Sequence, residues 1–187
     1  MPERLWDGQG NPPWPVGPGV TLVCGGDGVG KTTLLRRLAD WHRHAGSGLL
    51  YWEDPARDGE DRTTPRQHFA QVAERYPAFD AALLDDLVQG FALEDHLDKG
   101  MYMLSTGSRR KVWLAAGFAS GAELMLIDQP FAALDIPSQR LLTELFQEAA
   151  GHPTRAWWVA DYEAPAGVAL ARVIDLGDVP AWLGDAS

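Results

Sequence analysis

Apolar residues follow two alternating patterns along the chain: short continuous runs and longer stretches with helical spacing. The short runs are typical of strands buried on both faces of a sheet, and they cover residues 20–24, 48–52, 124–127, 156–160 and 172–176. The helical spacing predicts five helices, over 33–44, from 64 onward, over 80–89, over 108–119 and over 137–150. Strands that alternate with helices indicate an α/β fold with a mostly parallel central sheet flanked by helices. We expect a single domain over 1–187, with an inserted helical subdomain at 64–120.

A glycine-rich segment lies between the first predicted strand and the first predicted helix. It matches the P-loop pattern of a glycine, four residues and Gly-Lys-Ser/Thr, and its residues are Gly25, Gly26, Asp27, Gly28, Val29, Gly30, Lys31, Thr32 and the following Thr33. Glycines let a backbone turn tightly and direct several N–H groups at one anion, and a helix N-terminus adds partial positive charge. The pattern therefore predicts a phosphate-binding loop, with a simple glycine-rich turn as the alternative.

Two side chains of this segment have a specific role in phosphate chemistry. The Lys31 ammonium reaches the outer phosphates of a nucleotide, and the Thr32 hydroxyl can ligate Mg²⁺. The strand 124–127 ends in Asp128, whose carboxylate would also hold Mg²⁺, directly or through water. Because any buried strand can end in aspartate, this second prediction depends on the P-loop being present.

A third motif, Leu104-Ser105-Thr106-Gly107-Ser108, stands between the P-loop and Asp128. With it, the chain resembles the ABC ATPases, the nucleotide-binding subunits of ATP-binding-cassette transporters, whose signature is LSGGQ. The segment from Pro130 to Asp135 is similar to the family's stretch after the Walker B strand, which ends in the D-loop aspartate. A serine that only caps a helix would also explain Ser105. The two interpretations of this serine are compatible.

The resemblance implies a P-loop NTPase that binds ATP and Mg²⁺ and works as a pair of chains. In such a pair the P-loop of one chain holds ATP, and Ser105 and Gly107 of the other cover its γ-phosphate, with Asp135 nearby. It further implies a transmembrane permease subunit as partner, driven by ATP hydrolysis. The predicted location is therefore cytoplasmic, on the cytoplasmic face of a membrane through that partner.

Two positions depart from the family pattern where hydrolysis would occur. Gln129 stands where the family has the glutamate that acts on the attacking water. An amide cannot accept a proton, although it can orient a water molecule, and loss of a general base typically costs 10²–10⁴-fold in rate. Asp161 stands where the family has its switch histidine, and a carboxylate there would repel a γ-phosphate unless it is protonated or metal-bound. We predict that Gln129, Asp161 and Lys31 are the residues closest to the chemistry.

The adenine and Q-loop contacts of the family have weaker counterparts in this sequence. Trp6 and Trp14 are the candidates for stacking on adenine, since they precede the P-loop. Glu53 and Asp54 occupy the region of the missing Q-loop glutamine. A solvated loop is an equally good interpretation of these two acids.

The composition of the chain argues against several classes of protein. The 187 residues include 16 Lys and Arg against 26 Asp and Glu, for a net charge of −10, so no broad positive field for nucleic acid is expected. The single cysteine, Cys24, excludes an internal disulfide. No apolar run approaches the ~18 residues of a membrane span. These features are typical of a soluble cytosolic domain that reaches a membrane only through a partner.

Two other functions remain open at this point. The chain could be a soluble, ATP-gated regulatory module with little turnover, which would account for Gln129 and Asp161. An ABC-type ATPase of DNA maintenance is the third possibility, and the acidic balance argues against it.

Overall fold

One parallel sheet organises the part of the chain that the computed structural model describes, residues 11–46, 48–52 and 62–177. Its five strands stand in the order β2-β3-β4-β1-β5, and every neighbouring pair is parallel. The strands are β1 Gly19–Cys24, β2 Leu50–Tyr51, β3 Leu124–Asp128, β4 Ala156–Ala160 and β5 Leu170–Asp175. Parallel neighbours need crossover connections, and helices lie in the connections from β1 to β2, from β2 to β3 and from β3 to β4.

The helices lie on both faces of this sheet. They are α1 Lys31–Ala45, α2 Pro65–Arg75, α3 Ala81–Gly90, α4 Thr106–Ala119 and α5 Ile136–Ala150, with 3₁₀ turns at Glu94–His96 and Met101–Met103. Helix α1 buries Leu34, Leu35 and Leu38 against one face, where Trp158 is fully buried. Residues of α2 to α5 form a second cluster with the opposite face. The sheet is thus covered on both faces, as an all-parallel sheet requires.

The predicted α/β class and the predicted strands are confirmed, with shifts at element ends. The second strand is shorter than the predicted 48–52, since only Leu50–Tyr51 pairs with β3. Helix α4 begins at Thr106, two residues earlier than predicted, because the Ser105 hydroxyl accepts a hydrogen bond from the Ser108 N–H.

The region 64–120 is helical between β2 and β3, as predicted. Helix α2 begins with a capping box between Thr64 and Gln67 and has Pro65 in its first turn. Its buried residues Phe69 and Val72 belong to the same cluster as the sheet residue Trp157. That this region is a distinct subdomain stays a prediction.

None of the helices in the described ranges has the length and apolar composition needed to cross a membrane.

The register of the three central strands determines where the site lies. Val23 of β1 and Asp128 of β3 both pair with Ala160, the last residue of β4. The segments that follow β1, β3 and β4 therefore leave the sheet side by side at its carboxyl edge. Ligands of open α/β sheets bind at this edge.

Candidate active site at the carboxyl edge of the sheet

The loop between β1 and α1 has a backbone that glycine makes possible. Gly25, Gly28 and Gly30 have φ angles of 131°, 73° and 102°, in the region that side chains rarely adopt. A Cβ on Gly25 would lie 3.0 Å from Val29 Cγ2 and 3.2 Å from the Gly177 nitrogen. Gly30 directly precedes α1, so the first N–H groups of this helix open toward the loop. Such a helix start favours an anion.

Lys31 is buried within this loop, although it carries a charge. The residue is only 7% exposed. The Nζ donates hydrogen bonds to the carbonyl oxygens of Gly25 at 2.6 Å and Gly26 at 2.8 Å. The loop therefore fixes the ammonium group close to its own N–H groups.

Thr32 and Asp128 meet across the edge, although 96 positions separate them in the sequence. The Thr32 hydroxyl donates to Asp128 Oδ2 at 2.5 Å. A hydroxyl and a carboxylate are oxygen ligands that suit Mg²⁺, which commonly takes one or two protein ligands and completes its shell with phosphate oxygens and water. No group of three or more His, Cys, Asp or Glu side chains that could hold a metal occurs among the described residues. The residues present thus fit a magnesium ion bound together with phosphate.

Asp161 directly follows β4, the central strand of the sheet. It therefore lies between the P-loop, which follows β1, and Asp128 at the end of β3. Its N–H donates to the Val23 carbonyl oxygen at 3.1 Å, and its Oδ1 accepts from the Tyr162 N–H at 2.8 Å. Burial raises the pKa of the Asp161 carboxyl, while Lys31 and Arg110 act in the opposite direction. The carboxyl is thus a half-buried acid at the centre of the site.

Gln129 begins the segment after β3 in an uncommon conformation. Its φ is +48°, a value that few residues other than glycine adopt. The Gln129 N–H donates to the Ala160 carbonyl oxygen at 2.8 Å, and its own carbonyl oxygen accepts from Ala132 at 3.1 Å. The backbone around the expected water-binding position is therefore held by specific hydrogen bonds.

Arg110 of α4 donates hydrogen bonds to the backbone of the same segment. Its Nη1 donates to the carbonyl oxygen of Asp128 at 3.0 Å and to that of Gln129. Burial lowers the pKa of Arg110, and its buried Nε has no hydrogen-bond partner among the residues that the structure describes. The sequence does not predict this role, since the three adjacent basic residues Arg109, Arg110 and Lys111 do not reveal which one faces β3.

Tyr162 is a second residue that the sequence analysis missed. Its hydroxyl donates to Asp27 Oδ1 in the P-loop, and the Lys31 Nζ lies 4.5 Å from the centre of its ring. No sequence motif includes this tyrosine. Only the adjacency of β4 and β1 in the sheet brings it to the loop.

The signature and D-loop residues lie together where α4 and α5 begin. Gly107 is buried, and a Cβ there would lie 2.3 Å from the Ala133 carbonyl oxygen. Asp135 caps α5 by accepting from the Ser138 N–H at 2.9 Å, and Lys111 Nζ donates to its other oxygen at 2.5 Å. This hydrogen bond with Lys111 is the main reason that the pKa of Asp135 is lowered. The predicted residues thus form two groups, one around the P-loop and one at the starts of α4 and α5.

Comparison with known proteins agrees with this geometry. The profile of the ABC transporter family matches residues 17–132. The chain belongs to the ABC transporter family.

Among relatives, the chain is similar to the molybdenum import ATP-binding protein ModC of Thiobacillus denitrificans. The two are 34% identical over 140 residues, which is 64% of this chain and 39% of ModC. It is also 30% identical to the cytochrome c biogenesis ATP-binding export protein CcmA of Hyphomonas neptunium, over 72% of this chain and 70% of CcmA. The chain therefore spans about two fifths of the length of the ModC relative it matches.

Solved structures show the same fold. An ATP-binding subunit of an ABC transporter aligns with a TM-score of 0.67 at 21% identity, covering 80% of this chain and 70% of that one. A putative ABC transporter ATP-binding protein from Pyrococcus furiosus aligns with a TM-score of 0.67 at 19% identity, covering 84% of each chain. The predicted fold, an α/β P-loop NTPase, is confirmed.

The candidates for the adenine and Q-loop contacts of this ABC family member lie partly inside and partly outside the described residues. Trp14 is half-buried and packs against the cluster around α1, so part of its ring is already in contact with protein. Its stacking on adenine stays a prediction. Trp6, Glu53 and Asp54 lie outside the described residues.

Proposed function

We propose that the chain is the nucleotide-binding subunit of an ABC transporter and binds ATP with Mg²⁺ at its P-loop. The observation that carries this proposal is the convergence of Lys31, Thr32 and Asp128 at one edge of the sheet. The hydroxyl–carboxylate distance of 2.5 Å joins the P-loop to the end of β3, and membership of the ABC transporter family supports the same assignment.

Each part of the site has a distinct role in this proposal. The N–H groups of residues 25–33 bind the phosphate oxygens, and Lys31 neutralises the outer phosphates. Thr32 and Asp128 would hold Mg²⁺, which screens charge on the phosphates when it is bound. These contacts are local, so they can bind a nucleotide despite the net charge of −10.

We assign the second group of residues to the contact with a twin chain. Ser105 is an exposed N-cap at the start of α4, a type of position that favours anions. Gly107 lies beside it, and the Asp135 side chain is 54% exposed. In this arrangement ATP lies between two chains, which work beneath a transmembrane permease on the cytoplasmic side. Nucleic acid is not a partner in this proposal.

We further propose that ATP hydrolysis by the isolated chain is slow. Gln129 can orient a water molecule but cannot take its proton. Asp161 is a carboxyl at the centre of the site, but its charged form is disfavoured by burial. The same two residues favour the second candidate function, an ATP-gated regulatory module with little turnover.

Titration of the chain with MgATP tests the binding assignment. We expect Lys31→Ala to weaken binding about 100-fold, since it removes a charge-assisted contact to phosphate. Lys99→Ala is the matched control, because Lys99 is exposed and lies outside the site. Equal affinity of the Lys31→Ala and Lys99→Ala variants would contradict the assignment.

Partner capture separates the two candidate functions. A transporter subunit should co-purify with a polytopic membrane protein when it is expressed with its neighbouring genes. A regulatory module should bind ATP with the same Lys31 dependence and remain without such a partner.

A further inference from the structure

Tyr162 crosses the mouth of the phosphate-binding loop from the neighbouring strand. It is the second residue after β4, and its N–H is fixed by the Asp161 carboxylate at 2.8 Å. From there the side chain extends to the P-loop, where its hydroxyl donates a hydrogen bond to Asp27. The residue therefore bridges two segments that leave the sheet side by side.

The bridge passes over the group that would neutralise phosphate. The Lys31 Nζ lies 4.5 Å from the centre of the Tyr162 ring, within the range of a cation–π contact. The same ammonium donates to the Gly25 and Gly26 carbonyl oxygens. Two protons of the ammonium group are thus directed at carbonyl oxygens of the loop, and the tyrosine ring covers a further side of the ammonium group.

A phosphate group must compete with these contacts. An ammonium has three protons, so an oxyanion at Lys31 has to replace at least one carbonyl or the ring. The Asp27 carboxylate of the loop also carries a charge of the same sign as phosphate, and it accepts the hydrogen bond from the Tyr162 hydroxyl. Each of these contacts favours the arrangement in which the ring lies over Lys31.

We propose that Tyr162 is a built-in competitor of the nucleotide, a strap that must leave Asp27 and Lys31 before phosphate can bind. This inference rests on the proposed function, since it concerns access to the same P-loop. Because nucleotide binds only when the strap is open, the apparent affinity is the intrinsic affinity multiplied by the fraction of chains in which the strap is open. It also links affinity to the segment after β4, because any movement of residues 161–162 moves the strap.

Nucleotide binding by variants of the strap tests this proposal. MgADP is the probe, because it lacks the γ-phosphate that would bridge two chains. We expect Tyr162→Ala to bind MgADP about 3- to 30-fold more tightly than the wild type, and Tyr162→Phe to show a smaller gain, since it keeps the ring and loses the hydroxyl. Tyr102→Ala is the matched control, as Tyr102 is an exposed tyrosine outside the loop.

Rate constants locate the effect more sharply than affinity does. Removal of a strap should raise the association rate constant and leave the dissociation rate constant unchanged, in stopped-flow measurements with a fluorescent ADP. A tyrosine that contacts bound nucleotide would instead give faster dissociation in Tyr162→Ala. Unchanged or weaker binding by Tyr162→Ala overturns the proposal. If Tyr162→Ala does not fold, as judged by thermal unfolding, Tyr162→Phe carries the test alone.

Failure of the strap and failure of the P-loop assignment give different results. If the wild type binds MgADP, Lys31→Ala binds it far more weakly, and Tyr162→Ala equals the wild type, then the strap is wrong and the site stands. If the wild type and every variant, including Tyr162→Ala, show no binding, both proposals fall together.

Discussion

The two sides of the site, the phosphate side and the water side, differ in how far they follow the ABC family pattern. On the phosphate side, the loop of residues 25–32 and Asp128 keep every expected residue type, and they are joined by a 2.5 Å hydrogen bond. On the water side, Gln129 and Asp161 stand at the positions where the sequence resemblance predicts a glutamate and a histidine. The backbone of both sides is nevertheless anchored to the same strand β4.

This difference separates binding from turnover. Phosphate binding needs a loop conformation, an ammonium and oxygen ligands, and all of these are present. Proton transfer from water needs a group of suitable pKa, and the amide of Gln129 is not one. A chain of this kind should bind ATP well and hydrolyse it slowly, so that the bound state lasts.

Restoring the family residue is the strongest way to break the comparison. We expect Gln129→Glu to raise the steady-state rate of ATP hydrolysis about 10²-fold, because it supplies a carboxylate that can accept a proton. MgATP affinity should change little, since the phosphate contacts remain. Phosphate release at saturating MgATP measures the rate.

The control for this exchange is the same substitution on the protein surface. Gln71→Glu adds an equal charge at an exposed position of α2 and should leave turnover unchanged. If Gln129→Glu hydrolyses ATP no faster than the wild type, the slow step does not depend on a general base at this position. The description of the water side would then be wrong.

Gly107 sharpens the comparison, because it has a role that needs no nucleotide. A Cβ at this position would lie 2.3 Å from the Ala133 carbonyl oxygen, and Ala133 is itself at φ +61°. We expect Gly107→Ala to lower the free energy of unfolding by about 1–3 kcal/mol, the usual cost of overpacking. Chemical denaturation of the isolated chain measures this loss.

Gly17→Ala is the comparison variant for that measurement. A Cβ on Gly17 would have no atom of the described part of the chain within 4 Å, so its effect should be close to zero. Equal stability of Gly107→Ala and Gly17→Ala would show that the close approach to Ala133 is relieved at no cost. The close approach to Ala133 would then not explain why a glycine stands at this position.

The sequence predicts the loop of the phosphate side and its flanking elements from local information. The order of glycines, Lys31 and Thr32 indicates a loop whose backbone binds anions, and a strand and a helix flank it as required. The assignment of Asp128 needed one further step, the expectation that two parallel strands end at the same edge. That expectation agrees with the observed contact between Thr32 and Asp128.

The residues that sequence analysis missed depend on contacts between distant segments. Arg110 reaches the Asp128 and Gln129 carbonyl oxygens because α4 packs below the end of β3. Tyr162 reaches Asp27 because β4 lies beside β1, with 135 positions between the two residues. Neither residue belongs to a motif, so their roles follow only from strand order and helix packing.

The smallest predicted effect concerns the charge on Asp161. Because burial raises the pKa of this carboxyl in the folded chain, the folded state keeps its proton to a higher pH than the unfolded state. The free energy of unfolding therefore falls as the pH rises from the ordinary pKa of aspartate to the raised pKa of Asp161, and it stays lower at neutral pH. Asp161→Asn removes this loss and keeps an oxygen that can accept from the Tyr162 N–H. We expect the variant to melt a few degrees higher than the wild type at pH 7 and at nearly the same temperature at pH 3. A lower melting temperature of Asp161→Asn at pH 7 would mean that attraction to Lys31 and Arg110 outweighs burial, and that the water side is stabilised by its carboxylate.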